Sequence, residues 1–503
     1  MSFILSLLIF FPLVAAPAAY AVTKLNKRFG IHLSLGLAVA ELAVATYVAW
    51  RVYATPPGIG SYLLVQSVPW ISVGSFTVNY LVGVDGLSTP LLFVSALLTV
   101  FVVFGSRKLI DHHEAEYYSL IFLFEGAIMG VFASLDLILF YVFWEVVLIP
   151  MFFFIAVWGG PRRKYAALKF IIFTFAGSTV MLLGFLYFYL GMAHYVSPSF
   201  DIPTIQAALQ AHEIPVSLEY APLLASFIGF AVKLPLFPFH TWLPDAHVEA
   251  PAPISVLLAG VLLKMGGYGF LRISIGLFPT ASADFAWVFV ALALISMFYG
   301  AIAAVLQKDM KKLIAFTSIN HMGFVLFGAF ASLLIADPAV AYLGIEGAIF
   351  MMVAHALAVG CLFMLSGYIH HQAGTREIPS LKGLGTTMPR TAVVLVLASA
   401  AAMGLPPFAS FLAEFMVIVA GISASAVTIV SVLVPIITAG YFLWMIKRTV
   451  LSKPEGTVEV HDMAWSDVAM FAAYLAPLVV LLVASYLILG PALPVAEFLR
   501  GLA

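Results

Sequence analysis

A single cysteine, Cys361, among 503 residues excludes a disulfide framework, and an iron–sulfur cluster needs more thiolates than the chain owns. Charge is scarce too: Asp, Glu, Lys and Arg make up 9% of the residues, where soluble proteins carry about a quarter. With a net charge of −1 there is no basic excess to attract nucleic acid. Nothing offers a nucleotide-binding loop, a flavin site or a quinone site. What is there is apolar, 63% of the chain, and that composition belongs to a polytopic membrane protein.

A helix needs about 20 apolar residues to cross a bilayer. By that ruler fourteen spans are expected, near 2–22, 31–53, 85–106, 115–134, 136–158, 165–191, 221–244, 251–279, 284–306, 311–335, 344–370, 389–420, 422–450 and 467–492. The first resembles a signal peptide ending in "AYA", but its basic residues Lys24, Lys27 and Arg28 follow the apolar run instead of preceding it, so it reads as span 1. One set of alternate loops holds eighteen of the twenty-three Lys and Arg residues; Arg51, Lys233, Lys264, Arg272 and Arg500 are the remainder. Basic loops stay cytoplasmic. Both termini are therefore expected on the outer side of a prokaryotic cytoplasmic membrane, which demands an even number of spans.

Two spans are interrupted. Span 7 carries prolines at 235, 238 and 244, and span 12 carries Pro406 and Pro407. Span 12 is also too long, since about 32 residues at 1.5 Å each reach about 48 Å against a hydrocarbon core of about 30 Å. A broken helix removes the excess. Five spans separate the two breaks, and an odd offset reverses orientation, so spans 4–8 (115–279) and 9–13 (284–450) are expected to form two inverted five-helix repeats. Residues 1–114 then precede them as spans 1–3 and 451–503 follow as span 14. Inverted-repeat transporters place their ion sites at such discontinuous helices. In "SVGSFTVNYLVGVDG" the alternation predicts a short outer-face hairpin, and 199–213 reads as an interfacial helix.

Several ionisable residues lie inside the spans: Glu125 in span 4, Glu145 in span 5, Lys233 just before the break of span 7, Lys264 in span 8 and Glu414 after the break of span 12. His240, His321 and His355 add possible relay stations. Hydrocarbon disfavours an ammonium and a neighbouring carboxylate favours it, so a glutamate that approaches or leaves a lysine can switch it between holding and releasing a proton. Intramembrane charges are expensive and mark ion pathways more often than static pairs. A static Glu145–Lys233 ion pair and hydrogen-bonded packing histidines are the bland alternatives, and Glu125 could pair with a basic group or be a second relay carboxylate.

"SVPWI" with "GVDGLS", "FWEVVLIPMFF", "KLPLFPFHTWLPDAHVEAPAPISVLLAGVLLKMGGYGFLR" and "LPPFASFLAEF" together resemble the antiporter-like membrane subunits of respiratory complex I. The resemblance runs through spans 3–13. It implies an all-α fold of fourteen helices with two inverted repeats, and it matches Glu145, Lys233, Lys264 and Glu414 to the family's relay residues. It likewise places His240, His321 and His355 at family histidines and Lys169 at the helix-6 lysine. Sister subunits typically carry lysine where this chain has Glu414. The family's helix-12 break is usually glycine-rich, whereas Pro407 and Ala413 stand here.

The resemblance implies a proton-translocating subunit of a redox-driven pump, one that carries translocation and no cofactor of its own. Iron–sulfur clusters, flavin and quinone would sit in partner subunits, with antiporter-like neighbours on both sides and a peripheral redox arm. A subunit of an Mrp-type cation/proton antiporter, or a membrane-bound hydrogenase relative, is the alternative. A haem-binding electron carrier would need facing histidine pairs.

Overall fold

Once water is gone, backbone N–H and C=O groups can be satisfied within one segment only by a helix, and helices form at each apolar run. A computed structural model describes residues 3–74, 76–454 and 460–502. Among the described residues thirteen helices are long and apolar enough to cross a membrane. In chain order, helices 1–11 are Ile4–Leu25, Lys27–Ala54, Ser88–Leu109, Glu114–Ala133, Leu137–Trp158, Arg163–Met192, Val216–Lys233, Ala252–Ile275, Ala286–Val305, Met310–Leu334 and Pro338–Ala373. Helices 13 and 14 are Ala426–Thr449 and Trp465–Val483. The number 12 belongs to two shorter apolar helices, Pro389–Ala402 and Ala409–Ala424, which divide the expected long span.

Helices 8, 10 and 11 are buried along their whole apolar windows, whereas helices 1, 2, 6, 9, 13 and 14 are buried over less than half of theirs. The first three are thus the axis of the bundle. Close packing there depends on small residues: a Cβ on Gly344 would stand 2.5 Å from the Gly328 carbonyl oxygen, and one on Gly328 2.6 Å from that of Gly344. Helices 10 and 11 therefore touch backbone to backbone.

Ion pairs tie the basic loops into one face. Lys24 pairs with Glu116, Lys27 with Glu114, Lys108 with Asp467, Arg162 with Asp245 and Arg376 with Asp309. Chain segments far apart in sequence are joined by these contacts, as the alternation of basic loops requires.

The opposite face carries the hairpin, whose antiparallel strands Leu63–Val73 and Phe76–Val84 start further back than the alternation suggested. Asn79 donates to Asp201, at the start of the short helix Ile202–Gln210. Asp136, whose carboxylate caps helix 5 through the amides of Ile138 and Leu139, also accepts from the Asn79 amide. Arg272 of helix 8 reaches the Asp85 carboxylate with two 2.7 Å bonds, and Asp85 in turn caps helix 3 at Leu87 and Ser88. The hairpin is thereby anchored to the central helix.

Two expectations need correction. Helix 14 does not run to residue 492: it ends at Val483, a turn follows, and a separate helix Tyr486–Leu502 packs its Ile488, Ala492, Val495 and Leu499 inward. Pro491 and Pro494 lie in the interior of this second helix. Lys311, counted with the basic loops, is buried in the first turn of helix 10, where its ammonium donates to the Ala250 carbonyl. Helix 8 is not a uniform α-helix, because it widens into π-helical turns at Leu258–Leu262 and Phe270–Ile275, on either side of Lys264.

Candidate functional site

Helix 7 stops at Lys233 because Pro235 and Pro238 cannot donate to the preceding turn. Two carbonyls at the end of helix 7 find donors outside the α ladder: the Leu236 N–H donates to Ala231, and the Trp242 indole N–H donates to Val232 at 2.9 Å. The Phe237 N–H donates to Ser296 of helix 9. The chain then resumes as the helix Trp242–Glu249. Lys233 is left as the last residue before the break, at the negative end of the helix dipole, where a cation is favoured.

The Lys233 ammonium is buried and has no hydrogen-bond partner among the described residues; it lies 5.1 Å from the centre of the Trp144 ring. Glu145, next to Trp144, interacts electrostatically with Lys233, with Ser178 and Tyr141 beside its carboxylate. No ion pair within 4 Å joins Glu145 and Lys233 among the described residues. Helix 5 is disturbed at Val147, two residues past Glu145, since Pro150 withholds the amide that Val146 would otherwise receive.

Lys264 is built differently. Its Nζ lies 2.5 Å from the Ala259 carbonyl oxygen and 2.5 Å from Nδ1 of His355. Ala259 belongs to the π-helical turn, and a carbonyl loosened from the α ladder is what an ammonium five residues on can reach. The rings of His355 and His321 meet edge to face, 5.4 Å between centroids. His321 Nε2 is then 3.7 Å from Oε1 of Glu414, beyond hydrogen-bond range. Glu414 rests against the helix-12 break: Gly404 has φ +68°, and a Cβ there would stand 2.5 Å from the Glu414 Oε2. A glycine does open this break, three residues before the Pro407 that departs from the family pattern.

The remaining predicted residues lie apart from this file. His240, in the helix-7 break, packs on Phe237 and Tyr299 and is electrostatically coupled to Lys169, whose ammonium is bound to Asp245 at 2.8 Å. Among the described residues Glu125 meets no basic group. It lies against Glu41 of helix 2, and all four carboxylate oxygens of the two lack hydrogen-bond partners among the described residues. Glu41, Trp144, Gly404 and His247 were all missed by sequence reasoning; Trp144 was signalled only by its adjacency to Glu145. An apolar cavity of about 690 Å³ opens between helices 2, 3, 11 and 14 and the last helix, and is lined by none of the site residues. Among the described residues no cluster of His, Cys, Asp and Glu could hold a metal ion.

Residues 134–438, from the end of helix 4 to helix 13, match the NADH:quinone oxidoreductase/Mrp antiporter transmembrane family. The chain belongs to that family. The matched stretch holds Glu145, Lys233 and the whole Lys264–Glu414 file, and leaves out Glu41 and Glu125. Two relatives in the family are F(420)H(2) dehydrogenase subunit M of Methanosarcina mazei, 36% identical over 88% of this chain and 87% of that one, and NADH-quinone oxidoreductase subunit M of Rickettsia prowazekii, 36% identical over 91% and 90%. In three dimensions the chain superposes on a chain of respiratory complex I from Thermus thermophilus with a TM-score of 0.85, at 28% identity, over 99% of both chains.

Proposed function

We propose that the chain is the proton-translocating, M-type membrane subunit of a redox-driven, complex I-type pump, and that the redox chemistry belongs to other subunits. The observation that carries this reading is the file Lys264–His355–His321–Glu414, a lysine, two imidazoles and a carboxylate drawn from helices 8, 11, 10 and 12 and meeting inside the bundle. An ammonium at Lys264 donates to Nδ1 of His355. If the proton crosses, the imidazolium can release its other proton from Nε2 toward His321, and Glu414 accepts it at the helix-12 break. Each imidazole is left as its other tautomer and is reset by a flip of its ring, after which the next proton restores Lys264.

Glu145 and Lys233 form the first half of the device, with the break in helix 7 letting their separation change. The basic, ion-paired face is the cytoplasmic one by the charge rule, so protons would leave near the hairpin face. The two inverted five-helix units, helices 4–8 and 9–13, are the frame that places one break in each half. Similarity to two subunit M chains supports an M-type place between antiporter-like neighbours, with a peripheral redox arm.

Lys264→Ala tests the reading. In membrane vesicles containing the assembled complex, proton uptake driven by its electron donor should fall at least about tenfold while the subunits still copurify; Lys264→Arg should be nearly as harmful, because arginine does not release its proton. Wild-type pumping in Lys264→Ala would overturn it. Copurification with cation/proton antiporter subunits and no redox arm would replace it by the Mrp-type alternative.

A further inference from the structure

The cavity of about 690 Å³ lies toward the hairpin face, since its walls come from the last turns of helix 2, the first turns of helix 3, the second half of helix 14 and the start of the last helix. Val353 and Leu357, from the wholly buried helix 11, close it toward the bundle axis. On helix 3, which starts at Ser88, the lining stops at Leu97, a depth of about 15 Å at 1.5 Å per residue. That is one leaflet of a hydrocarbon core about 30 Å thick, whereas a neighbouring transmembrane helix would need a groove along the whole core. The mouth is amphipathic. Trp50 and Tyr53 line it and are 58% and 44% exposed, and Tyr53 meets Tyr486 of the last helix at 6.3 Å between ring centres. Such rings sit where hydrocarbon gives way to headgroups. Between them stands Arg51, whose guanidinium donates to the Tyr47 hydroxyl at 3.2 Å and, among the described residues, has no carboxylate within 4 Å. The other two arginines of this face are engaged, Arg272 with Asp85 and Arg500 with the Ile335 carbonyl. Thr89, in the first turn of helix 3, lines the cavity and is nine-tenths buried, and its hydroxyl has no hydrogen-bond partner among the described residues.

We propose that this cavity binds one acyl chain of an anionic phospholipid from the leaflet at the hairpin face, with the lipid phosphate at Arg51 and an ester carbonyl accepting from the Thr89 hydroxyl. The three parts of the site match the three parts of such a lipid in order of depth: a cation at the surface, a hydroxyl in the first turn of helix 3, and apolar walls beyond it. A guanidinium holds a phosphate through two parallel hydrogen bonds, and no carboxylate competes for Arg51. A zwitterionic headgroup brings its own ammonium to the phosphate, so a net negative lipid gains more from the arginine. An acyl chain restores the dispersion contacts that an empty apolar void would forfeit on every wall. The bound chain would tie helices 2, 3 and 14, which are less buried, to helix 11 at the axis.

The test uses the assembled complex in phosphatidylcholine nanodiscs doped with phosphatidylglycerol that carries a photoreactive diazirine at the end of one acyl chain. After irradiation, mass spectrometry should find the label on the helix-3 peptide that holds Phe93 and Leu97. Ala476→Trp, which fills the cavity from helix 14, should cut that labelling at least about fivefold with subunit content unchanged. If that variant does not assemble, Ala473→Trp fills the same space and takes its place. Arg51→Gln should lower labelling by the phosphatidylglycerol probe about fivefold and leave labelling by a phosphatidylcholine probe of the same design within about twofold. Thr89→Val should lower both probes by about threefold. No label on helix 3 in the wild type, or full labelling in the assembled tryptophan variant, would overturn the site. Loss of both probes alike in Arg51→Gln would overturn the anionic headgroup. Displacement of the phosphatidylglycerol label by an added long-chain quinone, with Arg51→Gln silent, would give the cavity to a quinone tail and overturn the proposal.

Discussion

The two lysines that the chain holds in hydrocarbon are housed in opposite ways. Lys233 ends a helix, faces an aromatic ring and has a carboxylate in electrostatic reach but not in contact. Lys264 sits in mid-helix between two π-helical turns, bonded to a carbonyl and an imidazole. A buried ammonium with no hydrogen-bond partner is sensitive to any movement of its nearest charge, whereas one already hydrogen-bonded to an imidazole has a route for its proton. On the proposed reading the first site is a switch set by distance, and the second is a wire set by contact. The backbone agrees with this division: proline breaks the helix at the switch, while the wire runs through helices 8, 10 and 11, which are buried throughout.

The comparison is broken most severely at the switch. Glu145→Gln and Lys233→Met should each cut coupled proton uptake about tenfold or more, and the double variant should be no worse than either, because residues acting as a unit are not additive. Additive losses in vesicle assays would mean that the two are not coupled. Glu145→Asp, with the same charge on a shorter arm, should keep part of the activity.

A smaller effect is expected at the far end of the wire. Glu414→Gln preserves shape but cannot titrate, and should slow proton uptake severalfold without loss of membrane insertion, with Glu414→Asp milder. A wild-type rate in the glutamine variant would make Glu414 a structural prop of the Gly404 turn and move the exit elsewhere.

The mildest change sharpens the contrast between the sites. Trp144→Leu removes the ring that faces Lys233, an interaction worth about 0.5–2 kcal/mol, and should lower coupled turnover about threefold. The same variant should leave the second file untouched, which can be read from additivity with Glu414→Gln. Strong coupling between those two substitutions would show the two sites to be one.

The sequence by itself determined the membrane class, where the helices lie, which loops share a face and where helices 7 and 12 break. These follow from local causes: a run of apolar residues must become a helix in lipid, basic residues stay outside it, and proline withholds a donor wherever it stands. Tertiary structure alone decided who meets whom. Lys264 faces His355 across 91 positions of sequence, Glu125 faces Glu41 instead of a base, and Lys311 turns inward from what reads as a loop. An amphipathic helix announces its inner face by its stripe, but helices 8, 10 and 11 are buried all round and have no stripe to announce. Their rotation is set by how Gly328 and Gly344 let two backbones meet and by where the π-helical turns shift the side chains of helix 8, and neither cause can be read before the helices are packed.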